Sequence, residues 1–232
     1  MFDICNRLQA LGDPEKARVL QRFFKTGKGE YGEGDQFIGL RVPELRKLAG
    51  QYPSLSLPDT LQLLRSPIHE VRFLALLILT RAYQQADAAL QEQIYTFYLQ
   101  HSHFINNWDL VDVSAEHIVG AHLRNRTRLP LRKLAASSLL WERRIAIIAT
   151  FHYIKRGEFA ETLAIAELLL RDREDLINKA VGWMLREVGK RDQSAEIGFL
   201  TKHYKVMPRT MLRYAIERFE EDLRQRFLRG EV

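Results

Sequence analysis

The 232-residue chain has a single cysteine, Cys5. No disulfide can form within it, and a reducing compartment suits it. No apolar run approaches the roughly 20 residues that a membrane-spanning helix needs. The opening residues, MFDICNRLQALGDPEK, lack the basic segment and apolar stretch of a secretory signal. These absences lead us to expect a cytoplasmic protein that does not engage a membrane. Strand-like alternation is scarce, which argues against a sheet-built core. Metal-ligand spacing is also missing. His101 and His103 are two positions apart and His117 and His122 five, neither of which suits two ligands on one helix face. No metal or cofactor is expected.

What the chain has is positive charge. Lys and Arg number 35 against 29 Asp and Glu, a net charge of +6 with a sequence pI near 9.5. That balance favours polyanionic partners, nucleic acid before an acidic lipid surface. From Ile118 to Trp141 there is no acidic residue, while Arg124, Arg126, Arg128, Arg132 and Lys133 all fall inside. Such a stretch reads as a solvated loop or as a rim facing phosphates.

The dominant hydrophobic period is helical. VRFLALLILTRAY (71–83), RRIAIIATFHYIKRG (143–157) and LINKAVGWMLREVGKR (176–191) carry broad apolar faces. Asp13-Pro14 and Ser66-Pro67 each read as a cap followed by proline at the first helical position, and Pro43 starts a further helix.

The helices recur. Arg72, Trp108, Arg144, Lys179 and Arg213 are separated by 36, 36, 35 and 34 residues, and each lies near the start of an apolar helix with a shorter one before it. That period is typical of stacked helical hairpins, which bury their apolar faces against neighbours. The expected architecture is a single all-α domain, 1–232, with equivalent residues aligned along one concave surface. Arg72, Arg144, Lys179 and Arg213 then form a cationic row, although a cation near a helix N-terminus is unfavourable to the helix dipole.

KTGKGEYGEGDQFIG (25–39) holds five glycines and fits G-x-G-x-x-G at 27–32. A dinucleotide loop is excluded, because a helix precedes the segment and Glu33 and Asp35 follow it. A mobile loop or a small β-hairpin within 27–39 is expected instead.

NNWDLVDVSAEHIVG (106–120) places Trp108 and Asp112 four residues apart, on one helix face. Trp183 lies one turn beyond Lys179. The expected cleft thus combines a carboxylate, two indoles and several cations. NNWDLVDVSAEHIVG, WERRIAI and LINKAVGWMLREVGKRD together resemble signature segments of the HEAT-like-repeat DNA alkylation repair glycosylases, the AlkD type, over most of the chain.

That resemblance implies a right-handed solenoid of antiparallel helical hairpins, a HEAT-like-repeat fold with a concave basic face on duplex DNA. It implies hydrolysis of the N-glycosidic bond of cationic N3- or N7-alkylated purines with the lesion still stacked. By position, the catalytic aspartate is Asp112, the cleft tryptophans are Trp108 and Trp183, and the cleft arginine is Arg144. Arg41, Arg46, Arg72, Lys179, Arg186 and Arg213 are the expected DNA contacts, and the protein is expected to act as a monomer. One departure is the glycine-rich insert, 27–36, which is longer than in the AlkD type and resembles that of hairpin-bearing relatives that look like binders of branched DNA. The competing readings are therefore a non-catalytic binder of branched or bent DNA and a protein-binding helical solenoid.

Overall fold

Asp13 caps the helix that its sequence predicts. In a computed structural model, which describes residues 2–52 and 55–232, its side chain accepts from the Glu15 and Lys16 amides at the start of the Pro14–Phe23 helix. Those are donors that the first helical turn leaves unused. Pro43 lies in the first turn of the Val42–Ala49 helix. The structure is all-α, and the described residues contain no sheet; Gln36 and Ile68 form an isolated parallel bridge. No helix among the described residues is long and apolar enough to cross a membrane.

The chain divides into two compact units, Met1–Ser114 and Ala115–Val232. In the first, the Phe2–Ala10, Val42–Ala49, Leu57–Leu64 and Ala88–Gln100 helices all pack on the long His69–Gln85 helix. That helix is buried along most of its length, as its continuous apolar sequence requires. In the second unit, Leu129–Ala135 packs on Leu140–Ala149, Ala160–Leu168 on Asp175–Gly189, and Arg209–Ala215 on Asp175–Gly189, which also contacts Leu140–Ala149. The longer apolar helices thus pack successively on one another.

Two glycines set close approaches in this second unit. A Cβ on Gly182 would lie 2.5 Å from both the Met211 carbonyl oxygen and Tyr214 Cβ. One on Gly120 would lie 2.2 Å from the Ala149 carbonyl oxygen. Gly120 ends a π-helical turn, Glu116–Gly120, in a segment whose sequence predicts ordinary helix.

Three expectations need correction. Ser66-Pro67 does not begin its helix, which starts at His69 with Ile68 as cap. The Pro67 carbonyl accepts from the Gln36 amide at 3.0 Å and the Gln36 carbonyl from the His69 amide at 2.8 Å, holding the intervening backbone extended. The 143–157 run is broken into Leu140–Ala149 and Phe151–Ile154 at Thr150, whose hydroxyl donates to the Ile147 carbonyl. The glycine-rich insert forms turns rather than a β-hairpin. Its own carboxylates take the backbone donors: Glu30 accepts from the Gly27 amide and Glu33 from the Gly29 amide, both at 2.8 Å. Asp35 is drawn into the interior.

Candidate active site

The Trp108–Ala115 helix opens onto a cavity of about 580 Å³ that lies wholly within the first unit. Trp108, Asp109, Asp112 and Val113 line it from this helix, Arg41, Val42, Pro43, Leu45 and Arg46 from another, and Phe23, Phe24 and Phe37 from the chain before it. Trp108 stacks on Phe24 at 5.2 Å, and Phe24 on Phe37 at 4.9 Å. Phe23 meets Trp108 edge-on at 6.1 Å and is largely exposed. The result is an aromatic wall with two carboxylates on adjacent turns of one helix and two arginines from the helix opposite.

Beneath this wall lies a polar network that the sequence reading did not foresee. His69 is buried, with its Nδ1 3.0 Å from Asp35 Oδ2 and its Nε2 2.8 Å from Asp109 Oδ2. Arg72 Nη2 donates to Asp35 Oδ1 at 2.6 Å, and Asn107 Nδ2 donates to Asp35 Oδ2 at 3.2 Å. The other oxygen of Asp109 accepts from the Leu110 amide at 2.8 Å, and Asn107 Oδ1 accepts from the Trp108 amide. The adjacent Glu70 is buried too; its carboxylate accepts from the Ile38, Gly39 and Leu40 amides.

Burial opposes ionisation of Asp35, yet His69, Arg72 and Asn107 hold its carboxyl below the usual aspartate range. Burial likewise opposes a charge on His69, but Asp109 and Asp35 raise the imidazole above its ordinary value despite the nearby Arg72. Only distant parts of the sequence assemble this network. The sequence carries only a faint signal for it, Asp109 directly after Trp108 and Asp35 at the end of the insert.

The expected site residues are placed as follows. Trp108, Asp112, Arg41 and Arg46 are brought together around the cavity, with both arginines exposed. Arg72 is not at a surface: it is buried, and its second Nη donates to the Ser66 carbonyl at 2.8 Å. Its expected phosphate contact is replaced by a structural one. In the second unit Arg144 is also buried, its Nη1 donating to the Leu176 carbonyl at 2.7 Å. Lys179 pairs with Asp175 at 2.7 Å, Arg186 bonds to Glu217, and Arg213 is exposed. Trp183 is half-buried; it donates to Glu187 Oε1 at 3.3 Å and lies 5.9 Å from the Phe151 ring.

The spacing that defined the row also chose the wrong member. Arg144, Lys179 and Arg213 are the fifth residues of their helices, whereas Trp108 is the first of its own. The fifth is Asp112. Loop lengths differ between the helix pairs, so a near-constant sequence interval does not preserve helical register.

The acid-free stretch is partly neutralised. Arg128 bonds to Glu158 at 2.5 Å and lies 4.1 Å over the Tyr153 ring, and Arg132 reaches Glu161 at 3.5 Å. Arg124, Arg126 and Lys133 are exposed. The surroundings stay strongly positive: burial, then Arg156, Arg124 and His117, push His152 down to about 4.

The model of a family described as DNA alkylation repair enzyme matches residues 4–219, and the chain belongs to that family. A solved structure described as a predicted DNA alkylation repair enzyme from Enterococcus faecalis shares the fold, with a TM-score of 0.68 at 16% identity, over 90% of this chain and 97% of that one. No curated protein matches the chain.

Proposed function

We propose that the protein is a monofunctional DNA glycosylase that hydrolyses the N-glycosidic bond of cationic N3- or N7-alkylated purines in duplex DNA. The observation that carries this reading is Asp112 on the wall of an aromatic cavity, one turn from Trp108.

An N-alkylated purine bears a positive charge, so its bond to deoxyribose is already weakened. Cleavage moves positive charge onto the sugar, an oxocarbenium-like state. A fixed carboxylate stabilises that charge and orients the attacking water. The Trp108 face attracts the cation, worth on the order of 1 kcal/mol. The departing base leaves neutral, so no acid is needed to protonate it. Asp112 suffices as the catalytic carboxylate. Arg41, Arg46 and Arg213 are exposed and suited to phosphates; Lys179 and Arg186 reach phosphate by exchanging a protein carboxylate for it. On the resemblance alone, Trp183 is assigned to the cationic base and sugar, and Arg144 to a phosphate near the lesion.

The competing reading, a non-catalytic binder of branched DNA, relied on a projecting hairpin in the insert, and the insert folds as turns instead. The test is incubation of the purified chain with N7-methylated duplex DNA and analysis of free bases. Release of 7-methylguanine, leaving an abasic site, supports the proposal; tight binding without release rejects it.

A further inference from the structure

A neutral imidazole has one N–H, yet both ring nitrogens of His69 face carboxylate oxygens, Asp35 Oδ2 at 3.0 Å and Asp109 Oδ2 at 2.8 Å. Both contacts are favourable only if both nitrogens carry protons, because a ring lone pair aimed at a carboxylate oxygen is repulsive. The ring packs against Phe24 at 4.9 Å and Phe37 at 4.6 Å, which are in mutual contact, so turning it would disturb the aromatic wall. Asp35 is itself fixed by Arg72 and Asn107.

We propose that His69 is a positioning residue that holds the Asp109 carboxylate in the cavity wall beside Asp112, where it meets the ligand. The assignment of that ligand as an alkylated purine rests on the glycosylase reading. The geometry explains why Asp109 stays in place: one oxygen is tied to His69 and the other to the Leu110 amide. Asp109 is 13% exposed as a side chain, so it reaches the cavity while its hydrogen bonds remain largely shielded.

The charged groups around the imidazole are Asp35, Asp109 and Arg72, with Glu70 next in the chain and occupied by three backbone amides, while Arg41, Arg46 and Asp112 line the same cavity. Asp35 and Asp109 outweigh burial and Arg72, so the protonated state persists above the ordinary histidine range. Loss of that proton at higher pH leaves one N–H for two carboxylates, so one of the two bonds is lost and the hold on Asp109 weakens.

Two measurements on the full-length chain test this. The first is an isotope-edited NMR titration of the His69 ring, which does not depend on activity. The expected result is a ring protonated on both nitrogens whose titration lies above the ordinary histidine value and moves to lower pH in Asp109→Asn. A neutral ring at pH 6.5 in the unmodified protein would overturn the proposal.

The second is the single-turnover rate of base release against pH. The unmodified protein should lose activity along a one-proton limb above the ordinary histidine range. Asp109→Asn should slow release at least tenfold, and His69→Gln should slow it and flatten the limb. Wild-type rates in both variants, each folded by circular dichroism, reject the positioning role while leaving Asp112 assigned. Absence of release at every pH from the unmodified protein rejects the glycosylase reading, and the NMR titration then decides the His69 assignment by itself.

Discussion

Asp109 and Asp112 stand three residues apart on one helix. Asp109 is bound on both oxygens, and Asp112 lines the same cavity close enough to help raise the pKa of Tyr98, after the larger effect of that phenol's burial. Another carboxyl is held in a different way. Glu196 is buried with one oxygen unpartnered, and burial, only partly offset by Arg186, pushes it up to about 8. Its folded pKa lies above its unfolded one, so its contribution to stability is greatest below the ordinary glutamate range. That contribution is lost as pH rises towards 8, where the unfolded chain has ionised and the folded one has not. Glu196→Gln should therefore raise stability at pH 8 relative to wild type by on the order of a few kcal/mol, seen as a higher melting temperature, and the gain should shrink at pH 4.5. Thermal denaturation at the two pH values measures it; an equal effect at both would show that Glu196 ionises freely in the fold.

At the scale of elements, the helices were legible in the sequence wherever apolar period and caps agreed. The predicted 176–191 run is the Asp175–Gly189 helix, and Asp13-Pro14 starts a helix as expected. Misreadings arose where contacts across the chain overrode local signals. The Gln36 backbone holds 67–69 extended, and Glu30 and Glu33 fold the glycine-rich segment into turns that its glycines would equally have allowed as a hairpin. Close packing was likewise invisible in the sequence, because nothing local distinguishes Gly182 as the point where two helices meet. Gly182→Ala should destabilise the protein by roughly 1–3 kcal/mol, since the added methyl meets the Met211 carbonyl and Tyr214 Cβ with no room to relax. Urea unfolding of the variant checks this, and unchanged stability would mean that the helices separate at little cost.

For the whole molecule, net charge and the resemblance pointed to DNA before any contact was known, and membership of the alkylation repair family agrees with them. The candidate site was only half legible. Trp108 and Asp112 share a helix, so their spacing revealed them; Asp35, His69 and Asp109 come from three separated segments and no periodicity links them. Reading exposure from charge also failed, because Arg72 and Arg144 are buried while Arg41, Arg46 and Arg213 are exposed. If the exposed cations contact phosphates, affinity for duplex DNA should fall linearly on a log–log plot against salt, and Arg213→Ala should lower the slope by about 1. Fluorescence anisotropy over a range of salt concentrations measures both quantities, and a salt-independent affinity would favour a protein-binding role.

The central claim is that Asp112 performs chemistry rather than binding. The most direct measurement compares single-turnover release of 7-methylguanine by wild type and Asp112→Asn, with the DNA affinity of each determined alongside. The account predicts a loss of several orders of magnitude in rate with affinity nearly unchanged. Release by Asp112→Asn at the wild-type rate would contradict it.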